Sequence, residues 1–237
     1  KSASFPKLNF QKWLMVRFKM DFLPDVHIVD RYFNAARHLG IKNDGEGLDY
    51  FIPAEDEVDL ALLPETHRNG FIAIVIGGKH QTKIFPAEKV AGICKKLALP
   101  VVLLGGREDQ PRGEMIAGET GPMVFNSCGM FNINQSASLI KQAVSILTND
   151  TGLMHVAAAF RKPIVSVWGN TIPGFGMYPC LPEEFRSRSL IAGVEGLSCR
   201  PCSKLGYPEC PKRHFRCMND IDIDPIIHFL NRQELHP

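Results

Sequence analysis

From Gly70 onward the apolar positions fall into a repeating pattern. Residues 71–76 form an unbroken apolar run that stops at Gly77 and Gly78, and Pro86 then opens a stretch in which Val90, Ile93 and Leu97 recur at helical spacing. That is strand, glycine turn, helix. Residues 100–104 repeat the strand and end in Gly105 and Gly106, ahead of a polar helix over 109–117. The alternation continues with a strand at 123–125, a helix at 135–143, a strand at 145–148, a helix at 151–160 and a strand at 164–168. Five strands alternating with helices predict an α/β fold, a parallel sheet covered by helices on both faces. Beyond Trp168 the pattern is irregular until a last helix at Asp224 and Pro225, with Asp a good N-cap and Pro favoured at the first helical position.

The first 65 residues lack this rhythm. They contain one amphipathic helix, in which Ile28, Val29, Tyr32, Phe33, Ala36 and Leu39 share a face and Gly40 stands where a left-handed cap would end it. Ahead of it, residues 10–22 mix Trp13, Leu14, Val16 and Phe18 with Lys12, Arg17 and Lys19, a half-buried segment without a clear period. Residues 43–64 read as loop and linker, and a boundary is expected near 63–69, which divides the chain into 1–65 and 66–237.

Composition narrows the function classes. The 237 residues are 45% apolar and 22% charged, a globular mixture, and 27 Lys and Arg stand against 25 Asp and Glu with no basic run along the sequence, so charge names no nucleic-acid or membrane partner. The longest uncharged stretch, 163–182, is broken by prolines and glycines and does not read as a membrane span. The first residue is Lys1, and 1–10 lack the apolar core of a signal peptide, so a piece of a longer protein is expected.

In a parallel sheet ligands bind beyond the carboxyl ends of the strands, and the loops there are rich in glycine and polar residues. They run Gly77-Gly78-Lys79-His80-Gln81-Thr82-Lys83, then Gly105-Gly106-Arg107-Glu108-Asp109, then Thr148-Asn149-Asp150-Thr151-Gly152, then Trp168-Gly169-Asn170-Thr171. Asp150, Thr151 and Gly152 are expected in the first turn of a helix, whose free amides and positive dipole end suit a phosphate, and His155 lies on the face of Thr151. The residues alone leave a second reading open, an N-cap aspartate with a histidine satisfied inside the helix packing. Lys79 and Lys83 could supply cations to a diphosphate, and Glu108 could accept from ribose hydroxyls, although each could equally be a solvated surface charge. No G-x-G-x-x-G, G-x-x-x-x-G-K-[ST] or G-x-S-x-G occurs, which argues against a dinucleotide dehydrogenase, a P-loop enzyme and a serine hydrolase elbow.

The segment TNDTGLMHVAAAFRKPIVSVWGNTIPGFGMYP closely resembles the signature of the glycosyltransferase family 9 heptosyltransferases: a strand, Asp-Thr-Gly-x-x-His, a small-residue helix, a Pro-led strand and a Gly-x-Thr-x-Pro loop. Lys83-Ile84-Phe85-Pro86 is similar to that family's Lys-x-Trp-Pro, with Phe85 in place of Trp, and Gly105-Gly106-x-Glu108, Cys199-Arg-Pro-Cys202 and CPKRHFRCM extend the likeness. The resemblance implies a GT-B fold in which 66–237 are the Rossmann-like donor lobe and 1–65 a remnant of the amino-terminal acceptor lobe with its linker. It implies a cytoplasmic bacterial enzyme that transfers heptose from an ADP-sugar donor to the lipopolysaccharide core, with inversion and with neither metal nor cofactor. Carried onto this sequence, Lys83 would bind the diphosphate and stabilise the leaving group. Glu108 would hold the ribose; Gly78, Lys79, Thr151 and Gly152 would face the phosphates; Asp150 would hold sugar hydroxyls; His155 and Thr171 would line the same cleft. The family's general base is an aspartate in an amino-terminal glycine-rich loop that nothing here matches, so the base is expected outside this sequence, with His27, Asp150 and His155 the first candidates within it. Any contact with the inner membrane would run through that lobe, and no nucleic acid is expected. A GT-B nucleotide-sugar epimerase and a non-catalytic nucleotide-sugar binding protein are the competing readings.

Seven cysteines are an odd number, and Cys199, Cys202, Cys210 and Cys217 crowd together. Their count equals that of a structural zinc site, with His214 a possible substitute, but no second C-x-x-C follows. Free or conditionally oxidised thiols on one irregular hairpin are the expectation, in a reducing compartment.

Overall fold

The computed structural model describes residues 3–233. Two helices, α1 (Asn9–Phe18) and α2 (Ile28–Ala36), precede the sheet. The sheet then follows as β1 (Ile72–Val75), α3 (Ala87–Cys94), β2 (Val101–Leu104), α4 (Gln110–Thr120), β3 (Val124–Asn126), α5 (Ile133–Gln142), β4 (Ser145–Asn149), α6 (Gly152–Ala159), β5 (Ile164–Trp168) and β6 (Ser189–Gly193). Two short helices, α7 (Arg216–Asn219) and α8 (Asp224–Asn231), close the described chain.

All six strands are parallel, in the order β3-β2-β1-β4-β5-β6. Successive residues of β1 feed opposite faces, which is why its apolar run is unbroken. Ile72 and Ile74 pack with Val90 and Ile93 of α3, Ile116 of α4 and Ile226 and Leu230 of α8. Ala73 and Val75 pack with Leu139 and Ile140 of α5 and Val156 and Ala157 of α6. Both faces are therefore covered, and the fold is the expected α/β one.

Several local expectations change. β6 was not legible: it follows the charged turn Glu183–Arg188 and offers only Leu190, Ile191 and Ala192 as apolar residues, enough for a half-exposed edge strand beside β5. Residues 10–22, which show no period, contain α1, a helix without a buried residue, in which Phe10, Trp13 and Phe18 are exposed. The amphipathic helix near 28–39 is α2 followed by a tighter turn, and Gly40 takes the expected left-handed conformation at φ 76°. The helix after β4 begins at Gly152 with Thr151 as its N-cap, so Asp150 lies in the loop before it rather than in its first turn. At the last helix Ile223, not Asp224, is the cap.

Residues 43–64 form no strand or α-helix, as expected of a loop, yet they are tied down. Ser138 Oγ accepts from Val58 N at 2.9 Å, Lys141 meets Glu57 at 2.8 Å, and Asn132 and Asn134 each donate to Asp56 at 2.8 Å. Val58 and Leu63 are buried in the α5–α6 face of the core, so this segment packs on the sheet across the boundary expected near 63–69.

Candidate functional site

β1 and β4 are neighbours whose following segments leave on opposite sides of the sheet, toward α3 on one face and α6 on the other. Such a switch point opens a crevice at the carboxyl ends of the strands. A cavity of about 650 Å³ lies there, reached by the loops after β1, β2 and β4 and by the amino end of α5. It gathers Gly78, Lys79 and Lys83 from the first loop, Glu108 from the second, and Asp150, Thr151 and Gly152 from the third, seven residues expected from the sequence to share one site.

Its walls are set by buried side chains. Asn149, 1% exposed, donates from Nδ2 to the carbonyls of Val75 and Gly77 at 3.3 and 3.1 Å, and its Oδ1 accepts from Phe85 N at 3.0 Å. It thereby fixes the end of β4 against both sides of the β1 loop. Asp109, also buried, accepts from Gly106 N at 3.0 Å and from Arg112 Nη1 at 3.0 Å. Gly77 is required beside it: a Cβ there would meet Asp109 Oδ2 at 2.3 Å.

The charged centre is compact. Lys83 Nζ lies 2.6 Å from Asp150 Oδ2, with side chains only 17% and 10% exposed, and Thr171 Oγ1 donates to the same oxygen at 2.8 Å. Thr151 caps α6 without a side-chain hydrogen bond, and Gly152 and Leu153, whose amides have no acceptor among the described residues, line the cavity. A lysine and a helix amino end converging on one space can hold a diphosphate, and Glu108, exposed on the β2 side, adds an acceptor for hydroxyls.

Two expected residues stand behind this cavity rather than on it. Thr171 is 2% exposed and acts on it only through Asp150. His155 is half-buried in α6; burial lowers its pKa, the nearby Asp150 raises it, and His27 and Lys83 lower it. His27 is the N-cap of α2, its Nε2 donating to Tyr178 O at 2.8 Å, and its pKa too is lowered chiefly by burial. Asp150 itself is engaged by Lys83 and Thr171.

Sequence reasoning gave no role to His80, Asn132 and Ser136, which also line the cavity, nor to Asn149 and Asp109, which shape it. Asn132 was within reach: it and Gln135 form a reciprocal cap at 2.9 and 3.0 Å, the Asn-x-x-Gln pattern of a helix start. Asn149 acts through backbone partners far away in the chain, which no local pattern reveals, whereas Asp109 bonds Gly106 N and Arg112 Nη1 within its own turn.

The four clustered cysteines are free thiols on the irregular stretch after β6 and the α7 that follows it. Cys202 Sγ donates to Cys199 O at 3.1 Å, and Cys199 Sγ lies 3.8 Å from His214 Nε2. Burial, with the neighbouring sulfurs, pushes both Cys202 and Cys217 up to about 11. Among the described residues, no three His, Cys, Asp or Glu side chains are grouped to hold a metal ion. This stretch nonetheless borders the site: Leu205 lines the cavity, and Tyr207 exchanges hydrogen bonds with Thr82 in the β1 loop.

The profile of glycosyltransferase family 9 (heptosyltransferase) matches residues 7–202. Lipooligosaccharide heptosyltransferase 2 of Haemophilus influenzae is 28% identical over 191 residues, 77% of this chain and 52% of that protein. Lipopolysaccharide heptosyltransferase 2 of Escherichia coli K12 is 36% identical over 118 residues, 47% of this chain and 33% of that one. Among solved structures, E. coli heptosyltransferase WaaC with ADP superposes with a TM-score of 0.60 at 19% identity, over 91% of this chain and 59% of that one. E. coli ADP-heptose lps heptosyltransferase II gives 0.54 at 23% identity, over 73% and 52%. These two likenesses show the GT-B fold, and the chain spans about half the length of the curated relatives it matches. With its profile match covering most of the sequence, the chain belongs to glycosyltransferase family 9.

Proposed function

We propose that this chain is the donor-binding part of a heptosyltransferase that takes heptose from an ADP-sugar and passes it to the lipopolysaccharide core, inverting the anomeric carbon without a metal ion. The observation that carries the reading is the placement of Lys83 opposite the open amino end of α6 across the β1–β4 crevice. Transfer breaks the bond between the sugar and the diphosphate, and negative charge grows on the departing phosphate. A fixed cation and oriented amides stabilise that charge most where water is excluded. Lys83 would leave Asp150 for the diphosphate, and Asp150, still held by Thr171, would be free to accept from sugar hydroxyls. Gly78 and Lys79 would flank the phosphates and Glu108 the ribose.

Inversion by a single displacement also needs a base for the acceptor hydroxyl. Asp150 would be occupied by Lys83 and Thr171 before the donor binds and by Thr171 and sugar hydroxyls afterwards, which favours a base outside this cavity, on the acceptor-binding part that residues 1–65 would join to the donor lobe of 66–237. The acceptor lipid and any membrane contact would be held there too. The setting would be cytoplasmic, in keeping with seven reduced cysteines.

Calorimetric titration with ADP, UDP, NAD and ADP-heptose tests the reading. ADP and ADP-heptose are expected to bind with one site per chain and UDP and NAD more weakly; tighter binding of UDP would favour an epimerase-type donor and overturn it.

A further inference from the structure

At the other end of the sheet, where the strands begin, lies a second cavity of about 670 Å³, bounded by the residues leading into β1, β4 and β5. Five cationic side chains line it, Arg68, Arg161, Lys162, Arg188 and Arg232, and among the described residues no carboxylate does. They come from four separate stretches of chain, Arg161 and Lys162 being neighbours, and converge only in the fold. The whole sequence carries a formal charge of +2, so this is a local concentration.

The surroundings do not neutralise it. α5, α6 and α8 end here, and each helix end offers about half a negative charge. Glu46 approaches Arg161 at 3.6 Å, with both side chains well exposed. Together these offset about half of the five charges.

The cations are also held in place. Arg161 and Arg188 lie over the Phe185 ring at 5.6 and 4.8 Å, and Arg188 Nη1 donates to Arg161 O at 3.3 Å. Arg68 donates to Leu63 O and Ala61 O at 3.1 and 3.0 Å, leaving Nη1 free among the described residues. Arg161 Nε is buried with no hydrogen-bond partner, and its backbone takes the left-handed conformation, φ 54°, that glycine adopts most readily. The Lys162 side chain makes neither hydrogen bond nor ion pair among the described residues, and burial with the nearby Arg188 lowers its pKa. An anion would supply the acceptor that Arg161 Nε and the Lys162 ammonium lack.

We propose that this basic cavity binds a small molecule carrying two or more phosphate groups. Its volume is that of a small-molecule site, and guanidinium forks match phosphate oxygens in pairs. A single carboxylate would leave most of the charge unmatched. The site stands apart from the donor cavity, at the opposite ends of the same strands, and does not depend on the donor reading.

The test is a titration with inorganic tripolyphosphate at fixed ionic strength, on the wild type, on Lys83→Ala and on the double variant Lys162→Gln/Arg232→Gln. Neither side chain of the double variant makes a hydrogen bond, so its melting temperature should match that of the wild type. Binding should persist in Lys83→Ala and fall at least tenfold in the double variant. Tripolyphosphate should also shield Lys162 of the wild-type protein from amine acylation, read by mass spectrometry. Full affinity in the double variant, loss of all binding in Lys83→Ala, or unshielded Lys162 would each overturn the proposal. If instead the double variant loses only its sedimentation with vesicles of anionic phospholipid, the patch is a membrane contact and the small-molecule site is wrong.

Discussion

Asp150 decides how the site is read at the scale of single residues. One of its oxygens accepts from both Lys83 and Thr171, at 2.6 and 2.8 Å. Thr171→Val keeps the shape of the buried side chain and removes the hydroxyl, leaving Asp150 to Lys83 alone. ADP affinity is then expected to fall about threefold to tenfold, the range of one hydrogen bond of about 0.5–1.5 kcal/mol; calorimetry that finds tighter binding contradicts the arrangement. His27, His67 and His155 all have pKa values lowered mainly by burial. The folded state thus holds them neutral while the unfolded chain takes up protons near the ordinary value, about 6.5. Their contribution is complete above that value and is lost as pH falls through the lower folded values. Thermal melts should show the melting temperature dropping from pH 7 toward pH 5; a flat or rising profile would contradict this. Asp56 and Glu57, whose pKa values are lowered by side-chain hydrogen bonds, add a further loss in the acid range below.

The elements show where sequence reasoning succeeds. Strands buried on both faces announce themselves as apolar runs, and β1, β2, β4 and β5 were all legible. Their glycine-rich exits, read with the parallel topology, also placed Lys83, Glu108 and Asp150 on one cavity. An edge strand carries a weaker signal because only part of it is buried, which is why β6 was missed, and α1 was missed because none of its residues is fully buried and Phe10, Trp13 and Phe18 are exposed. Asn149 marks the other limit, since its three bonds join β4 to the β1 loop and to Phe85. Asn149→Ala strands a buried amide and two carbonyls, so a destabilisation of about 2–3 kcal/mol is expected by denaturant titration. A loss below about 0.5 kcal/mol would show that the loop holds its place without it.

For the whole molecule, both ends of the sheet carry chemistry of opposite design. The carboxyl end mixes a lysine, carboxylates and helix amides, as suits a nucleotide sugar, and the amino end is cationic throughout. The sequence shows no basic run, so only the fold could reveal that second charge concentration. The motif match spoke for the donor cavity far more than for the acceptor side, because this chain spans about half the length of its curated relatives. If the donor cavity is complete within it, ADP at a hundred times its dissociation constant should stabilise the chain by about 2.7 kcal/mol, seen as a raised melting temperature.

The most direct measurement is a calorimetric titration of ADP into this chain and into Lys83→Ala, with melts confirming that both are folded. One ADP per chain is predicted for the wild type, and a loss of about 1.5–3 kcal/mol, roughly tenfold to 150-fold, for the variant, as expected of a charge-assisted contact to phosphate. Equal affinity in the two proteins, or no ADP binding by the wild type, would contradict the assignment of the cavity to a nucleoside-diphosphate sugar.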